Sequence, residues 1–173
     1  MNSLTPYSIK NKISKGGILI TLVCLLCACY RQQKPVEAIS TLRSVHQGVA
    51  GKILFKEGEF TISGDLLENG KVYGIERQLL FYERTSLKDV EIGEGNFVKN
   101  TYTELLDSVY SDKQGNFGKE LPEGNYSVFV KESRRLYSKL TDDGYFMPLT
   151  VFKDSCKKMI IEVDYKASYL TGR

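Results

Sequence analysis

Apolar residues fall along this chain in two patterns. From Gly16 to Tyr30 they run without a single charge, with Ile18-Leu19-Ile20 and Leu22-Val23-Cys24-Leu25-Leu26 at the centre. From Val45 onward they come in short groups, alternating in places and divided by Gly, Pro, Asn and Asp. The second pattern predicts strands. Val49 and Lys52-Ile53-Leu54-Phe55 form a first one, closed at Glu57-Gly58. Phe60-Thr61-Ile62 fits a short strand or a loop. Gln78–Glu83 fits a strand buried on both faces, with a helix through Ile75–Phe81 as the competing assignment. Thr85–Lys99 contains Gly93, Gly95 and Asn96, which predicts a long loop. Thr103–Ser111 sets Leu105, Asp107 and Val109 against Leu106, Ser108 and Tyr110.

The next passage is the most regular. Asp112-Lys113-Gln114-Gly115 predicts a turn, with Gly115 supplying a positive φ. Phe117 and Leu121 anchor a short strand, and Pro122-Glu123-Gly124 makes a second turn. Tyr126, Val128 and Val130 then alternate with Ser127, Phe129 and Lys131. Asp142-Asp143-Gly144 turns the chain into Tyr145–Phe152, where Pro148 implies an edge or a bulge. Met159-Ile160-Ile161-Glu162-Val163-Asp164-Tyr165 is a last strand, running on to Tyr169. Short strands divided by turns predict an all-β sandwich of about seven strands.

The first pattern is a leader. Lys10, Lys12 and Lys15 precede the uncharged stretch, which spans 15 residues before Arg31. A membrane-spanning helix needs about 20 apolar residues, so a cleaved signal peptide fits better than a permanent span. The stretch ends Leu26-Cys27-Ala28-Cys29, which resembles the lipobox of bacterial lipoproteins. That resemblance implies cleavage after residue 28 and a diacylglyceryl group on the Cys29 thiol. Two or three acyl chains anchor firmly, at about 0.8 kcal/mol per buried methylene. Residues 29–44 then read as the lipidated cysteine and a polar tether, with a possible helical turn at Val36–Leu42. Residues 45–169 form the domain and residues 170–173 a tail.

Removing the leader changes the charge. Its three lysines are its only charged side chains, so the remainder keeps 21 of the 24 basic residues against 21 acidic ones, a net charge of zero. A neutral protein has no excess positive field to attract phosphates, which argues against nucleic acid as a partner. The cysteines resolve too. Cys24 and Cys27 leave with the leader, Cys29 carries lipid, and Cys156 stays without a disulfide partner. The 173 residues less 28 leave 145, enough to stand on a core alone.

The run Ser111-Asp112-Lys113-Gln114-Gly115-Asn116-Phe117 with Leu121-Pro122-Glu123-Gly124-Asn125-Tyr126-Ser127-Val128-Phe129-Val130 resembles the carboxypeptidase regulatory-like domain. That family has Asp-x-x-Gly-x-Phe, then Leu-Pro-x-Gly-x-Tyr, then an apolar strand. Gly48-Val49-Ala50-Gly51-Lys52-Ile53 is similar to its first strand and Ile161-Glu162-Val163-Asp164-Tyr165 to its last. The resemblance covers residues 45–169 and is specific over 111–130; Thr85–Thr103 is longer than the family needs. It implies a transthyretin-like Greek-key sandwich with an envelope role and no reaction of its own. Tyr126 is expected to bury its ring while its hydroxyl reaches backbone at a corner.

Candidate chemistry is sparse. His46 is the one histidine, and no Gly-x-Ser-x-Gly elbow accompanies it. Transthyretin-like hydrolases of purine catabolism use several histidines and a Gly-Ser carboxy terminus; this chain has neither. Asp112, Gln114 and Asn116 are spaced like calcium ligands with Glu123 at the closing position, yet Phe117 stands where that loop needs Gly. Asp142, Asp143 and Asp154 could bind calcium only if their loops met. Lys157 and Lys158 could activate Cys156, against its use as a small apolar residue. Asn125-Tyr126-Ser127 fits a glycosylation sequon inside a turn. Asp107-Ser108-Val109 resembles a three-residue O-glycosylation signal. Tyr137, Tyr145 and Phe146 fit either an aromatic platform for sugars or half-buried core. No cofactor, metal or catalytic group is expected. The expected protein is a non-enzymatic lipoprotein of the cell envelope, a binding or structural module held by Cys29. Its lipobox and following Tyr30, with no Asp there, imply the outer membrane, and the lack of an acidic cluster directly after them favours the periplasmic face. The alternatives are an accessory subunit docking on an envelope enzyme or transporter by a strand edge, or a carbohydrate-binding module.

Overall fold

The computed structural model describes residues 45–170. The leader, Cys29, the tether with its possible turn at Val36–Leu42, and residues 171–173 lie outside the described residues. The described part is an all-β sandwich of two sheets, with no α-helix among these residues.

Each sheet is built around one long strand. In the first, β1 (Gly48–Thr61) pairs in parallel with β11 (Cys156–Leu170) along its whole length. Its other side is shared by two short antiparallel strands. β7 (Asn116–Glu120) takes Gly48–Lys52, and β2 (Lys71–Gly74) takes Leu54–Glu57. In the second sheet, β8 (Gly124–Glu132) pairs on one side with β3 (Gln78–Glu83). Its other side is divided between β10 (Pro148–Val151) and β9 (Arg135–Tyr137). The sheet extends through β6 (Leu105–Tyr110) beyond β3, and through β5 (Phe97–Thr101) and β4 (Val90–Ile92) beyond β9.

Alternation builds the core. Val49, Ile53 and Phe55 of β1, Phe117 of β7, and Ile161 and Val163 of β11 point inward from one sheet. Leu79 and Phe81 of β3, with Tyr126, Val128 and Val130 of β8, meet them from the other. Burying each such side chain contributes about 1.5–3 kcal/mol before conformational entropy is subtracted. The Tyr126 ring is buried and its hydroxyl donates to Pro122 O at 2.9 Å, as expected of a corner tyrosine. The Asp112 turn also forms. Gly115 N–H donates to Asp112 O at 2.9 Å, with Gly115 at φ 84°. A Cβ on Gly115 would lie 2.2 Å from Ile53 O, so no other residue fits this close approach.

Several expectations are corrected. Eleven strands form among the described residues, not about seven. Thr85–Lys99 is not a long loop. It holds a 3-10 turn (Leu87–Asp89) and the β4–β5 hairpin, and the glycines and Asn96 mark only the hairpin's reversal. Val90, Phe97 and Val98 are buried, and that apolar drive outweighed the turn residues around them. Glu57-Gly58 does not close the first strand. Gly58 takes φ 86°, β1 passes it with a shifted register, and Phe60-Thr61 stay in β1 while Ile62 leaves it. A strand at Arg135–Tyr137 was not expected. The helix alternative for Ile75–Phe81 is excluded by β3, whose Leu79, Leu80 and Phe81 are all buried. Thr103–Ser111 alternates but is an outer strand, with Leu105, Leu106 and Tyr110 exposed. Pro148 opens β10, a place where its missing N–H costs the ladder little.

The far face of the second sheet carries another cluster. Phe129 of β8 and Leu80 of β3 point away from the inner core and are covered by Val90, Val98 and Phe146. Phe129 meets Phe146 at 5.6 Å and Tyr82 at 5.3 Å between ring centroids.

Candidate functional site

The two sheets approach differently at their two sides. At one side, Lys119 of β7 pairs with Asp107 of β6 at 2.7 Å. At the other, β11 runs past the β4–β5 reversal and β9, leaving a cleft of about 470 Å³. Its walls are Glu94–Phe97, Arg135, and Asp164, Tyr165 and Tyr169 of β11. Ligand sites commonly occupy about 300–1,000 Å³.

A bulge shapes β11 here. Val163 pairs with Phe55 and Lys166 with Glu57, so Asp164 and Tyr165 together oppose Lys56 alone. An extra residue of this kind bends the strand and re-aims its side chains. Tyr165 thereby packs on Phe97 and Phe55, at 5.1 and 5.3 Å between centroids, while its hydroxyl donates to Glu132 at 3.1 Å. Glu132 is buried and also receives Arg77 Nε at 2.6 Å, which satisfies its charge.

Asp164 is the hub. Its Oδ1 accepts from the Tyr137 hydroxyl at 2.6 Å, and its Oδ2 from Lys139 Nζ at 2.6 Å and the Tyr169 hydroxyl at 3.0 Å. Burial pushes this carboxyl up, but the bonds from Lys139 and Tyr137 outweigh burial and hold it below its usual range. Burial, then the bond to Asp164, pushes Tyr169 up to about 12. Burial, then the same carboxylate, raises Tyr137 too. At neutral pH the cluster is therefore a fixed carboxylate ringed by neutral hydroxyl donors and one ammonium.

Arg135 stands opposite. Its guanidinium lies 3.8 Å from the Phe97 ring centroid and has no ion-pair partner among the described residues. Its N–H edge is therefore open to a ligand while its face is held by the ring. The reversal beside it is fixed by Ser138 N–H donating to Asn96 O at 3.0 Å. The cleft thus offers one cation, Arg135, and the exposed parts of Tyr165 and Tyr169 beside Asp164. A further cleft of about 430 Å³ lies beside Arg77 and Lys131, but Arg77 is already committed to Glu132.

The residues singled out from the sequence sit elsewhere. Cys29 lies outside the described residues. His46 is exposed, and its backbone N–H donates to Glu120 at 2.9 Å. The parallel pairing of Gly48 with Cys156 brings His46 and the thiol to one corner, yet no imidazole–thiol hydrogen bond forms among the described residues. Asp112 serves its own turn. Its Oδ1 accepts Gln114 N–H at 2.9 Å and Asn116 N–H at 2.8 Å. Asp143 bonds Thr141 and pairs with Arg84, and no three acidic, His or Cys side chains converge on a metal position among the described residues. Asn125 accepts from Thr150 across β8 and β10. Ser108 is half-buried on β6. Tyr137, Tyr145 and Phe146 form no platform, because Tyr137 and Phe146 are buried and Tyr145 lies under Arg84 at 4.1 Å. The cleft residues Arg135, Asp164 and Tyr169 were not anticipated. The visible sign was the acid-tyrosine step Asp164-Tyr165 interrupting an alternating strand; Arg134-Arg135 reads only as a solvated turn.

No family model matches the chain, and no curated protein or solved structure matches it.

Proposed function

We propose that this protein is a non-enzymatic binding module of the bacterial cell envelope, tethered to the membrane by lipid on Cys29. Its ligand is held in the cleft between β11 and the β4–β5 reversal. One observation carries the binding part. Asp164, held as a carboxylate by Lys139, Tyr137 and Tyr169, lines one cleft with Arg135, which has no ion-pair partner among the described residues. The chemistry it fits is a ligand with an anionic or hydroxyl group for Arg135 and a flat face for Tyr165 and Tyr169. Such a site recognises and orients; it holds no activated nucleophile. The carboxypeptidase regulatory-like resemblance supports the envelope setting, and the lipobox supports the tether. Outer membrane and periplasmic face are the placement that the lipobox and Tyr30 favour.

A photoactivatable side chain at Tyr169, in the protein expressed in its native envelope, tests the site. The expected result is a discrete adduct that Arg135→Ala abolishes. Adducts of unchanged pattern with Arg135→Ala would contradict it. The tether has its own test. Cys29→Ser is expected to give an uncleaved or soluble product, and an unmodified Cys29 in the mature wild-type protein, seen by mass spectrometry, would overturn the lipid reading.

A further inference from the structure

The outer edge of β11 is open. This strand pairs with β1 and with no other strand among the described residues. Gly48 N–H donates to Ser155 O at 2.9 Å, so the odd-numbered residues of β11 face β1. The even-numbered residues therefore aim their N–H and C=O groups outward, up to the bulge. At Asp164 this edge is capped, because the Tyr137 hydroxyl, whose proton goes to Asp164 Oδ1, accepts from Asp164 N–H at 3.3 Å; the same hydroxyl lies 3.3 Å from Glu162 O without a second proton to give it. Lys158 and Ile160 have no such cap among the described residues. Ile160 is also 70% exposed, the most exposed large apolar side chain of the domain. An exposed apolar residue on an unpaired edge is a site of strand pairing.

We infer that two copies of this chain pair edge to edge, antiparallel, through residues 158–162 of β11. The register follows from charge. A two-fold axis at Ile160 sets Ile160 against Ile160, and Lys158 against Glu162 in both directions. All three positions have outward backbone groups, as an antiparallel hydrogen-bonded pair requires. Lys158 has no ion-pair partner among the described residues, and Glu162, which pairs with Lys56 at 2.9 Å, keeps its side chain 40% exposed. Moving the axis to Lys158 would set two lysines face to face, which costs stability. The two four-stranded sheets would join into one continuous sheet. So short a seam falls below the about 1,600 Å² of a standard stable interface, so pairing is weak in dilute solution. Confinement of many copies to one surface raises their local concentration. This inference rests on β11 for its geometry and on the proposed tether at Cys29 for its strength, and it is independent of the ligand in the cleft.

The test is disulfide trapping of the full chain in its membrane, in a Cys156→Ser background with that parent as baseline. Ile160→Cys places two thiols at a Cα separation of about 5.5 Å, inside the roughly 4.4–6.8 Å that a disulfide accepts. Ile62→Cys, at 67% exposure, is the control for random collision. Ile160→Cys is expected to form dimers at least about tenfold faster than Ile62→Cys, since pairing raises the effective thiol concentration. Adding Lys158→Glu is expected to slow trapping; adding Lys157→Glu, which faces the other way, is not. Equal trapping at the two cysteines, or equal effects of the two charge changes, would overturn the pairing. So would adducts formed by Ile160→Cys only with a different protein.

Discussion

The inner core and the outer cluster hold the same second sheet from opposite faces, and they are made differently. The inner core joins two sheets through residues from β1, β3, β7, β8 and β11, spread from Val49 to Val163. The outer cluster gathers Phe129 and Leu80 with Val90 and Val98 from β4 and β5 of the same sheet and with Phe146 from a loop. Removing the inner core removes the sandwich. Removing the outer cluster opens one face of the second sheet and leaves the inter-sheet core in place. The cleft lies where the two meet, because neighbouring residues of β5 serve both. Phe97 packs inward on Tyr137 and Tyr165, and Val98 packs outward on Phe129's side.

This difference can be measured. Tyr126→Ala should have the largest effect, because it empties a buried ring site and frees Pro122 O. Aromatic-to-Ala changes in cores cost about 3–5 kcal/mol. Urea unfolding should show that loss in the midpoint of one cooperative transition; a loss under about 0.5 kcal/mol would place Tyr126 outside the core. Val98→Ala should cost less, about 1–3 kcal/mol, and act locally. Hydrogen exchange is expected to speed up in Val90–Thr101 before it changes in β1 or β8. Uniform acceleration across both sheets would erase the distinction between the two layers.

Asp164→Asn should give the smallest of the three effects, and one that depends on pH. The native carboxyl titrates below its ordinary value, so it stabilises the fold fully above about pH 5. That contribution fades as pH falls through about 4 toward the native value. Wild type should therefore exceed Asp164→Asn in thermal stability at neutral pH, with the gap narrowing in acid. A gap that widens in acid would contradict the assignment of Asp164 as an ionised hub.

How much was legible follows the same division. Most of the inner core could be read, because Val49, Ile53, Phe117, Leu121, Tyr126, Val128 and Val130 recur at strand spacing between turn residues. The outer cover could not. Gly93, Gly95 and Asn96 are loop formers by local preference, and only burial of Val90 and Val98 against Phe129 makes a hairpin of their surroundings. The alternation that showed Tyr126 and Val128 as inward also showed Phe129 as outward, and nothing local says that an outward Phe must be covered. The cleft failed for a related reason. Arg135, Asp164 and Asn96 come from three distant stretches and meet only through the pairing of β5 with β9 and the bulge in β11.

We propose that this domain binds and does not catalyse, and that it binds along β11. Complementation of a deletion strain at matched protein level tests it most directly, with lipidation and folding verified for each variant. His46→Ala and Cys156→Ser should restore the wild-type phenotype, as exposed single changes outside a binding centre usually do. Arg135→Ala and Tyr169→Ala should not. Restoration by Arg135→Ala together with a null phenotype from His46→Ala would mean that the working site is the corner of β1 and not the cleft.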